Sequence, residues 1–346
     1  MPAASTQTTE PFESTRLGRA YRAVAGARGD RFIAAAKSTR TWVQYESALR
    51  IFSDWCADQG AVALPASSET LRAYVIDLAE RDYSPSTIAA YLQAIATQHR
   101  IAGHPIDRRP LAETMRGIRR LADPPRQAQP LLAEELRQVL ALLDATKPAD
   151  ARDGALLAIG WAAALRQVEL TGLDWQRRGA GPDKGTGALR ETTEGLEVVL
   201  AVSKTSQHAV VKMPIPAADM PTAGRWLSAW TALASLRPGQ PVFRAIDRHG
   251  RIQDERLSSA AVAHIIRRRV RAMALAASAS EEEASLRCLA YSGHSLRAGY
   301  ATSAARLGVQ EWRIRARTRH RSAEMVARYV RAAEGWTESG LGGLGF

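Results

Sequence analysis

The sequence predicts a mainly α-helical protein of two units, with a small antiparallel β-sheet in a mixed α/β second unit. Apolar residues recur at helical spacing through most of the chain from residue 39 onward, whereas only two short runs are β-branched. A proline-rich stretch, DPPRQAQP at 123–130, interrupts the helical pattern and is typical of an extended linker. A length of 346 residues is enough for two separate cores.

The charge of the chain favours a polyanionic partner. The formal net charge is +12, and nucleic acid is the default partner for so basic a protein. Only five of the 47 basic residues are lysines. Arginine suits bidentate phosphate contacts, but a coding bias produces the same preference, so composition alone leaves both causes open.

Composition and the N-terminus bear on location. The sequence has no apolar run of about 18 residues, so we expect no membrane span. The N-terminal residues lack the charged-then-apolar order of a signal peptide, and we expect a cytoplasmic protein. Cys56 and Cys288 fall in different predicted units, which predicts two reduced thiols and no disulfide.

The first unit is predicted as a helical bundle at 31–122, preceded by a mobile Ser-, Thr-, Ala- and Gly-rich arm at 1–30. An aromatic stripe from Trp42 to Trp55 is expected to be core rather than a platform for stacking bases. Ser84 and Pro85 form a cap followed by a first-turn proline, which opens the third helix. The four helices are expected at 39–59, 67–82, 85–101 and 110–122.

The second unit is predicted to span 131–335. The Gly-rich, charged segment 177–190 is expected to be a loop. Two β-branched runs, 195–203 and 209–215, flank the sequence KTSQH and predict a β-hairpin with Lys204 at the end of its first strand. Helices are expected at 131–145, 152–165, 221–236 and 257–277.

The segment 291–331 carries most of the candidate chemistry. His294 and Arg297 are three residues apart, so they share one face of a helix that Ser292 or Ser295 could start. We expect Gly308 to end this helix. Its apolar stripe is predicted to comprise Tyr300, Ala301, Ala304 and Leu307. A second basic helix precedes His320, and Tyr329 follows nine residues later. Alone, an HxxR pattern occurs by chance in many helices, and Tyr329 alone suits a half-buried core.

The order of these residues along the chain is more informative than any one of them. ALRQVEL contains Arg166 and Glu169, HSLRAGYAT contains His294 and Arg297, and RHRSAEMVARY ends in Tyr329. Together with a lysine on the hairpin, these motifs resemble the three boxes of the tyrosine recombinase, or phage integrase, family. The resemblance covers residues 39–335, includes the family's core-binding domain in the first unit, and is greatest to Cre-like and Xer-like members.

The chain departs from the usual family pattern at several positions. The usual glycine before Leu-Arg is Ala164, in the pair Ala163-Ala164. The residue after Arg297 is Ala298, where many members have histidine. The usual Leu-Gly before the late histidine is replaced by Thr318 and Arg319. The residue three before Tyr329 is Val326 rather than threonine. None of these changes removes a reacting group.

The resemblance implies a DNA-cleaving and rejoining enzyme in which Tyr329 is the nucleophile. The tyrosine forms a 3′-phosphotyrosyl ester and releases a 5′-hydroxyl. Because the ester retains the bond energy, no ATP is implied. Arg166 and Arg297 hold the non-bridging oxygens, and His320 donates to one of them. The arginines take the place of a metal, so no metal or other cofactor is implied.

Each of the remaining site residues has two alternative roles. Lys204 is the candidate general acid for the leaving oxygen, although a plain phosphate contact is the alternative and Lys212 is a less favoured substitute. His294 accepts or relays the proton of Tyr329, or positions the phosphate. Glu169 orients Arg166 or a histidine, or is an ordinary ion pair at a helix end.

The resemblance also implies partners. Duplex DNA lies within a C-shaped clamp of the two units, with 123–130 as hinge, and four protomers act on two DNA sites. The tail 336–346 docks on a neighbouring protomer, with a disordered end as the alternative. Rival functions are a type IB topoisomerase-like enzyme and a catalytically silent DNA-binding protein on the same fold. The expected DNA contacts are Arg116, Arg119, Arg120, Arg267, Arg268, Arg269 and Arg271.

Overall fold

The structure is a computed structural model that describes residues 36–124, 127–176, 187–201, 210–320 and 322–334. The chain divides into two compact units, Met1–Arg126 and Gln127–Phe346. The boundary lies within the stretch 123–130. Within the described ranges the chain is mainly helical with small β-sheets, as the sequence predicts. The same ranges contain no helix with the length and apolar character needed to cross a bilayer.

The first unit is built from α-helices around one apolar core. Ser67 and Ser84 cap the second and third helices, because each hydroxyl accepts a hydrogen bond from the backbone N–H three residues on. The side chains of Trp42, Phe52 and Trp55 are buried, so the aromatic stripe is core as predicted. The helices are α1 (Thr39–Asp58), α2 (Ser68–Glu80), α3 (Pro85–Ile101) and α4 (Ala112–Leu121), with a 3₁₀ turn at Arg109–Leu111.

The second unit contains a four-stranded sheet in the order β1-β2-β3-β4. The predicted hairpin is present, since β3 and β4 pair antiparallel with Val198 opposite Met213. The prediction of a loop through residue 190 is wrong in its last four residues, because β2 begins at Gly187 and pairs with both β1 and β3. The strands are β1 (Leu173–Trp175), β2 (Gly187–Thr192), β3 (Gly195–Ala201) and β4 (Val210–Pro216).

Helices of this unit share one apolar core with the sheet, and a further two-stranded sheet pairs β5 (Arg244–Ile246) with β6 (Ile252–Arg256). The central helix, Pro148–Ala162, is buried on nearly all sides, which is typical of a helix inside a core. Its Gly154 lies against the Trp226 ring, where an added Cβ would be 2.4 Å from a ring carbon. The helices are α5 (Ala133–Ala141), α6 (Pro148–Ala162), α7 (Gln167–Thr171), α8 (Pro221–Leu233), α9 (Ser259–Ala276), α10 (Glu281–Leu289), α11 (Ser295–Arg306), α12 (Glu311–Thr318) and α13 (Ala323–Glu334).

The helix that follows His294 corrects one detail of the predicted stripe. Ala301 and Ala304 are buried, but Leu307 is 82% exposed and is not part of the core. The reason is that α11 ends at Arg306, and Leu307 is already its C-terminal cap. Gly308 follows with φ +71°, a left-handed conformation that favours glycine, and stops the helix as predicted.

The two cysteines, Cys56 and Cys288, are both free and buried, one in each unit.

Candidate active site

Arg166 is presented by a tight turn at the end of the central helix. The chain leaves α6 at Ala162 and passes through Ala164, whose φ is +47°, before Arg166 precedes the first residue of α7. The backbone N–H of Arg166 donates to Glu169 Oε2 at 2.9 Å, and its Nη1 donates to Glu169 Oε1 at 2.6 Å. Glu169 therefore fixes both the backbone and the guanidinium of this arginine.

Arg297 lies in the first turn of α11 and is only 2% exposed. Its Nη1 donates to the carbonyl of Ala164 at 3.1 Å, and its Nε approaches His320 Nε2 at 3.4 Å. Its Nη2 is buried and has no hydrogen-bond partner among the described residues. Burial, and the positive charges of Arg166 and Arg319, lower the pKa of Arg297 to about 10. A charged, buried donor without a partner is costly, and it fits an anionic ligand.

His320 is nearly buried and held in one orientation. The Thr318 hydroxyl donates to the Ile314 carbonyl at 2.7 Å and so accepts from His320 Nδ1 at 2.9 Å. That arrangement leaves Nε2 as an acceptor facing Arg297. Burial and the nearby arginines lower the pKa of His320 to about 4. The imidazole is therefore neutral at neutral pH.

Tyr329, on α13, stacks on this histidine. The two rings have centroids 5.8 Å apart and planes 24° apart. The tyrosine ring packs beside a small apolar cluster that includes Val326, so the valine found where the family usually has threonine is a core residue. The stacking places His320, Arg297 and Tyr329 in one group.

His294 is exposed at the start of α11. The prediction of a serine cap is wrong, because the N-terminal cap of α11 is His294 and it makes no side-chain cap bond. The two serines stabilise the turn before the helix, in which Ser292 Oγ accepts from the N–H of His294 and Ser295 Oγ accepts from the N–H of Ser292. Desolvation, Arg297 and Arg166 lower the pKa of His294, which favours a neutral imidazole.

Arg319 belongs to this group, although it was not predicted as a site residue. Its Nη2 donates to Glu169 Oε2 at 2.6 Å. Burial alone would raise the pKa of Glu169, but Arg319 and the hydrogen bonds from Arg166 outweigh it and lower that pKa. The sequence signal was only the absence of the usual glycine before His320.

The predicted general acid, Lys204, lies outside the described residues, between β3 and β4. Its possible substitute, Lys212, is on β4, where its Nζ is 3.7 Å from Glu197 Oε1 and largely exposed. No described contact joins Lys212 to Arg166, Arg297 or His320, so Lys204 stays the preferred candidate.

The four arginines predicted to contact DNA on α9 are engaged within the second unit. Arg267 donates to the Tyr291 carbonyl, and Arg271 pairs with Glu281. Arg268 and Arg269 both pair with Asp153, which is 0% exposed, and Arg269 also pairs with Asp150. The contact of these four arginines with DNA stays a prediction. For Arg269, the pairs with Asp150 and Asp153 account for the position of its guanidinium without a DNA contact. In the first unit Arg116 pairs with Glu113, whereas Arg119 and Arg120 are exposed.

Comparisons with known proteins agree with this geometry. A sequence model of the phage integrase family matches residues 129–335. The chain is 32% identical over 305 residues to an integrase/recombinase XerD homolog of Selenomonas ruminantium, an alignment that covers 85% of this chain and 82% of that protein. It is 26% identical over 312 residues to the Cre recombinase of Escherichia phage P1, covering 86% and 85%.

Solved structures show the same fold at low identity. XerH site-specific recombinase bound to a palindromic difH substrate has 14% identity, a TM-score of 0.61 and coverage of 97% of each chain. A transposon integrase in complex with transposon right end DNA has 14% identity, a TM-score of 0.58 and coverage of 90% of this chain and 94% of that one. With the family match over more than half of its length, the chain belongs to the phage integrase family, the tyrosine recombinases, as its three motifs predicted.

Proposed function

We propose that this protein is a site-specific DNA recombinase that cuts and rejoins duplex DNA through a 3′-phosphotyrosyl intermediate on Tyr329. The observation that carries the proposal is the buried Nη2 of Arg297, which has no hydrogen-bond partner in the described part of the chain and belongs to the same group as His320 and Tyr329. A phosphodiester oxygen is the acceptor that such a donor suits best. Family membership supports the reaction class, DNA strand cleavage and rejoining.

The phosphate is held by two guanidinium groups. Arg166, which is partly exposed, and Arg297, which is buried, offer planar donors to the non-bridging oxygens. Glu169 keeps Arg166 oriented through two hydrogen bonds. Loss of one preorganised donor of this kind lowers the rate by roughly a hundred- to thousandfold.

The covalent step balances without another reactant. Tyr329 Oη attacks phosphorus, the bond to the 5′ oxygen breaks, and the tyrosine proton passes to His294, whose lowered pKa keeps it neutral and able to accept. Lys204 gives a proton to the leaving 5′ oxygen. The ester keeps the bond energy, so a 5′-hydroxyl of the partner strand rejoins it without ATP or a metal.

The imidazole of His320 supplies a further donor once it is protonated. In the DNA-free protein its Nε2 accepts rather than donates. A bound phosphate adds negative charge beside the ring, which favours the imidazolium and lets Nε2 donate to a non-bridging oxygen.

Exchange of two duplexes needs four strand cuts, and each protomer makes one. We therefore propose a homotetramer that acts on two DNA sites. The tail 336–346, which lies outside the described residues, is proposed to dock on a neighbouring protomer. A C-terminal deletion that leaves synapsis and recombination intact would contradict this docking.

The test is covalent trapping on nicked duplex fragments from a randomised or genomic library. Wild-type protein is expected to form a denaturation-resistant adduct, and sequencing of the trapped ends gives the target site. Tyr329→Phe is expected to form none. Tyr300→Phe is the matched control, because Tyr300 packs on Trp161 in the same unit and should retain full trapping.

Other outcomes decide between the rival functions. Salt-sensitive binding with no adduct from the wild type would indicate a catalytically silent DNA-binding protein. An adduct together with relaxation of supercoils, but without crossover between two copies of the recovered site, would indicate topoisomerase-like activity. An adduct that persists in Tyr329→Phe would assign the nucleophile to another residue.

A further inference from the structure

Arg319 occupies a backbone conformation that disfavours arginine. Its φ is +56° and its ψ is 40°, in the left-handed region, at the C-terminal cap of α12. A residue with a Cβ pays roughly 1 kcal/mol or more in that region, and glycine does not. The arginine side chain must therefore make contacts that outweigh this cost.

The contacts of Arg319 converge on the turn that presents Arg166. The side chain is 15% exposed. Its Nη1 donates to the carbonyl of Ala163 at 3.3 Å and to that of Arg317 at 2.9 Å, and it also contacts Met213 Sδ on β4. Its Nη2 donates to the carbonyl of Ala164 at 3.4 Å and to Glu169 Oε2 at 2.6 Å.

Two of these acceptors also hold the phosphate-binding arginines. Glu169 Oε2 accepts from Arg319 and from the backbone of Arg166, while Oε1 accepts from the guanidinium of Arg166. The Ala164 carbonyl accepts from both Arg319 and Arg297. Ala164 itself has φ +47°, so two strained non-glycine residues meet at this point.

We propose that Arg319 is a positioning residue of the strand-cleavage site, which sets Arg166 through Glu169 and Arg297 through the Ala164 carbonyl. The proposal rests on the proposed DNA-cleavage function. Both nitrogens of the Arg319 fork are engaged within the protein, so it acts through its neighbours and does not need to touch DNA. If Arg319 only stabilised the fold, its substitution would change the free energy of unfolding without changing the rate of cleavage by the folded protein.

The test uses Arg319→Gly, because glycine keeps the left-handed backbone and removes only the side chain. Single-turnover adduct formation is measured on the nicked site recovered by trapping, together with the DNA dissociation constant. We expect the cleavage rate to fall roughly 10- to 100-fold, the range for partners that orient site residues, while the dissociation constant changes less than about threefold. Arg319→Lys should restore part of the rate, because it keeps a positive charge beside the Glu169 carboxylate but loses the hydrogen bonds to the carbonyls of Ala163 and Ala164.

A matched control makes the same backbone change at a position with no described contact to Arg166, Glu169 or Arg297. Ser278 follows α9 with φ +66°, and Ser278→Gly should leave the cleavage rate and the dissociation constant unchanged. In a Glu169→Gln background, Arg319→Gly should slow cleavage by less than it does in the wild type, because part of its action passes through Glu169. The free energies of unfolding of all variants are measured in parallel.

Several outcomes would overturn the proposal. A full cleavage rate in folded Arg319→Gly, or a rate loss that is unchanged in the Glu169→Gln background, would assign Arg319 a structural role only. If the wild type itself forms no adduct, the proposed function fails. The positioning proposal is then decided by ¹⁵N spectra of the Arg166 and Arg297 guanidinium groups, which must shift in Arg319→Gly beyond the shifts in Ser278→Gly.

Discussion

Arg297→Met should separate the stability of the second unit from its activity. The pKa of Arg297 falls from the ordinary 12.5 to about 10, chiefly through burial. Because one pKa unit corresponds to about 1.36 kcal/mol, the charged form costs the fold roughly 3 kcal/mol. The folded-state pKa is the lower one, so this cost applies in full at every pH below about 10.

The substitution removes that cost together with two hydrogen bonds. The bonds to the Ala164 carbonyl and to His320 contribute roughly 0.5–1.5 kcal/mol each. We therefore expect the free energy of unfolding to rise by about 1 kcal/mol, or the melting temperature of this unit by about 2–4 °C, while adduct formation falls at least about a hundredfold.

Differential scanning calorimetry measures this change, because two compact units are expected to give separate transitions. The matched control is Arg244→Met. Arg244 is also buried, at 8% exposure, but its guanidinium donates to two backbone carbonyls and to Asp254, which is largely exposed. Its loss leaves the two carbonyls without this donor and should destabilise the unit by about 2 kcal/mol. A destabilisation of Arg297→Met by about 2 kcal/mol or more would refute the reasoning, because it would mean that the fold needs this guanidinium.

The remaining predictions concern protons and packing. Glu169→Gln should lower the free energy of unfolding at pH 7, and the difference from wild type should shrink below about pH 4.5, because the lowered pKa of Glu169 stabilises the fold only while the carboxylate is ionised. Urea midpoints across pH measure this difference, and a difference that stays constant with pH would contradict the prediction. His320, whose pKa is about 4 in the free protein, should take up a proton when DNA binds at about pH 5. Calorimetry in two buffers detects this proton, and uptake that persists in His320→Asn would contradict its assignment to His320. Gly299→Ala should destabilise the second unit by more than about 2 kcal/mol, because the new Cβ would lie 1.8 Å from the Leu131 carbonyl oxygen. A melting temperature equal to that of the wild type would contradict this close packing. Gly117→Ala, on the open face of α4, should stabilise the first unit by about 0.5–1 kcal/mol and so identify the calorimetric transition of that unit. A lowered melting temperature would contradict this stabilisation.

Features with a local cause could be predicted from the sequence. Ser67 and Ser84 cap their helices through bonds that span three residues, and the period of the aromatic residues alone indicates the core face of α1. The motifs around Arg166, Arg297 and Tyr329 likewise need only short spacings. The helix α10 was missed although Ser280 and Glu283 form a capping box, which was a usable signal.

Features that depend on distant partners could not be predicted. The strand β2 has a glycine- and arginine-containing sequence with little β preference, and it is stabilised by pairing with β1 and β3. From its sequence alone, the basic face of α9 is typical of a DNA-contacting surface. The structure shows that buried Asp153, about a hundred residues earlier in the chain, pairs with Arg268 and Arg269. For Arg319 the sequence marks a departure from the family pattern, but its partner Glu169 is 150 residues away.

The charge of the site explains why Arg319 should affect the rate more than binding. Among the described residues Arg166, Arg297 and Arg319 carry three positive charges and Glu169 one negative charge, so these four groups have a net charge of 3 − 1 = +2 in the DNA-free protein. The proposed roles of Lys204 and of protonated His320 add positive charge once phosphate is bound. A phosphodiester carries about one negative charge, and the pentacoordinate state formed by tyrosine attack carries about two. A positively charged site thus stabilises the transition state more than the substrate. Without Arg319 one of these positive charges is lost, which should weaken the compensation of the second negative charge in the transition state more than it weakens DNA binding.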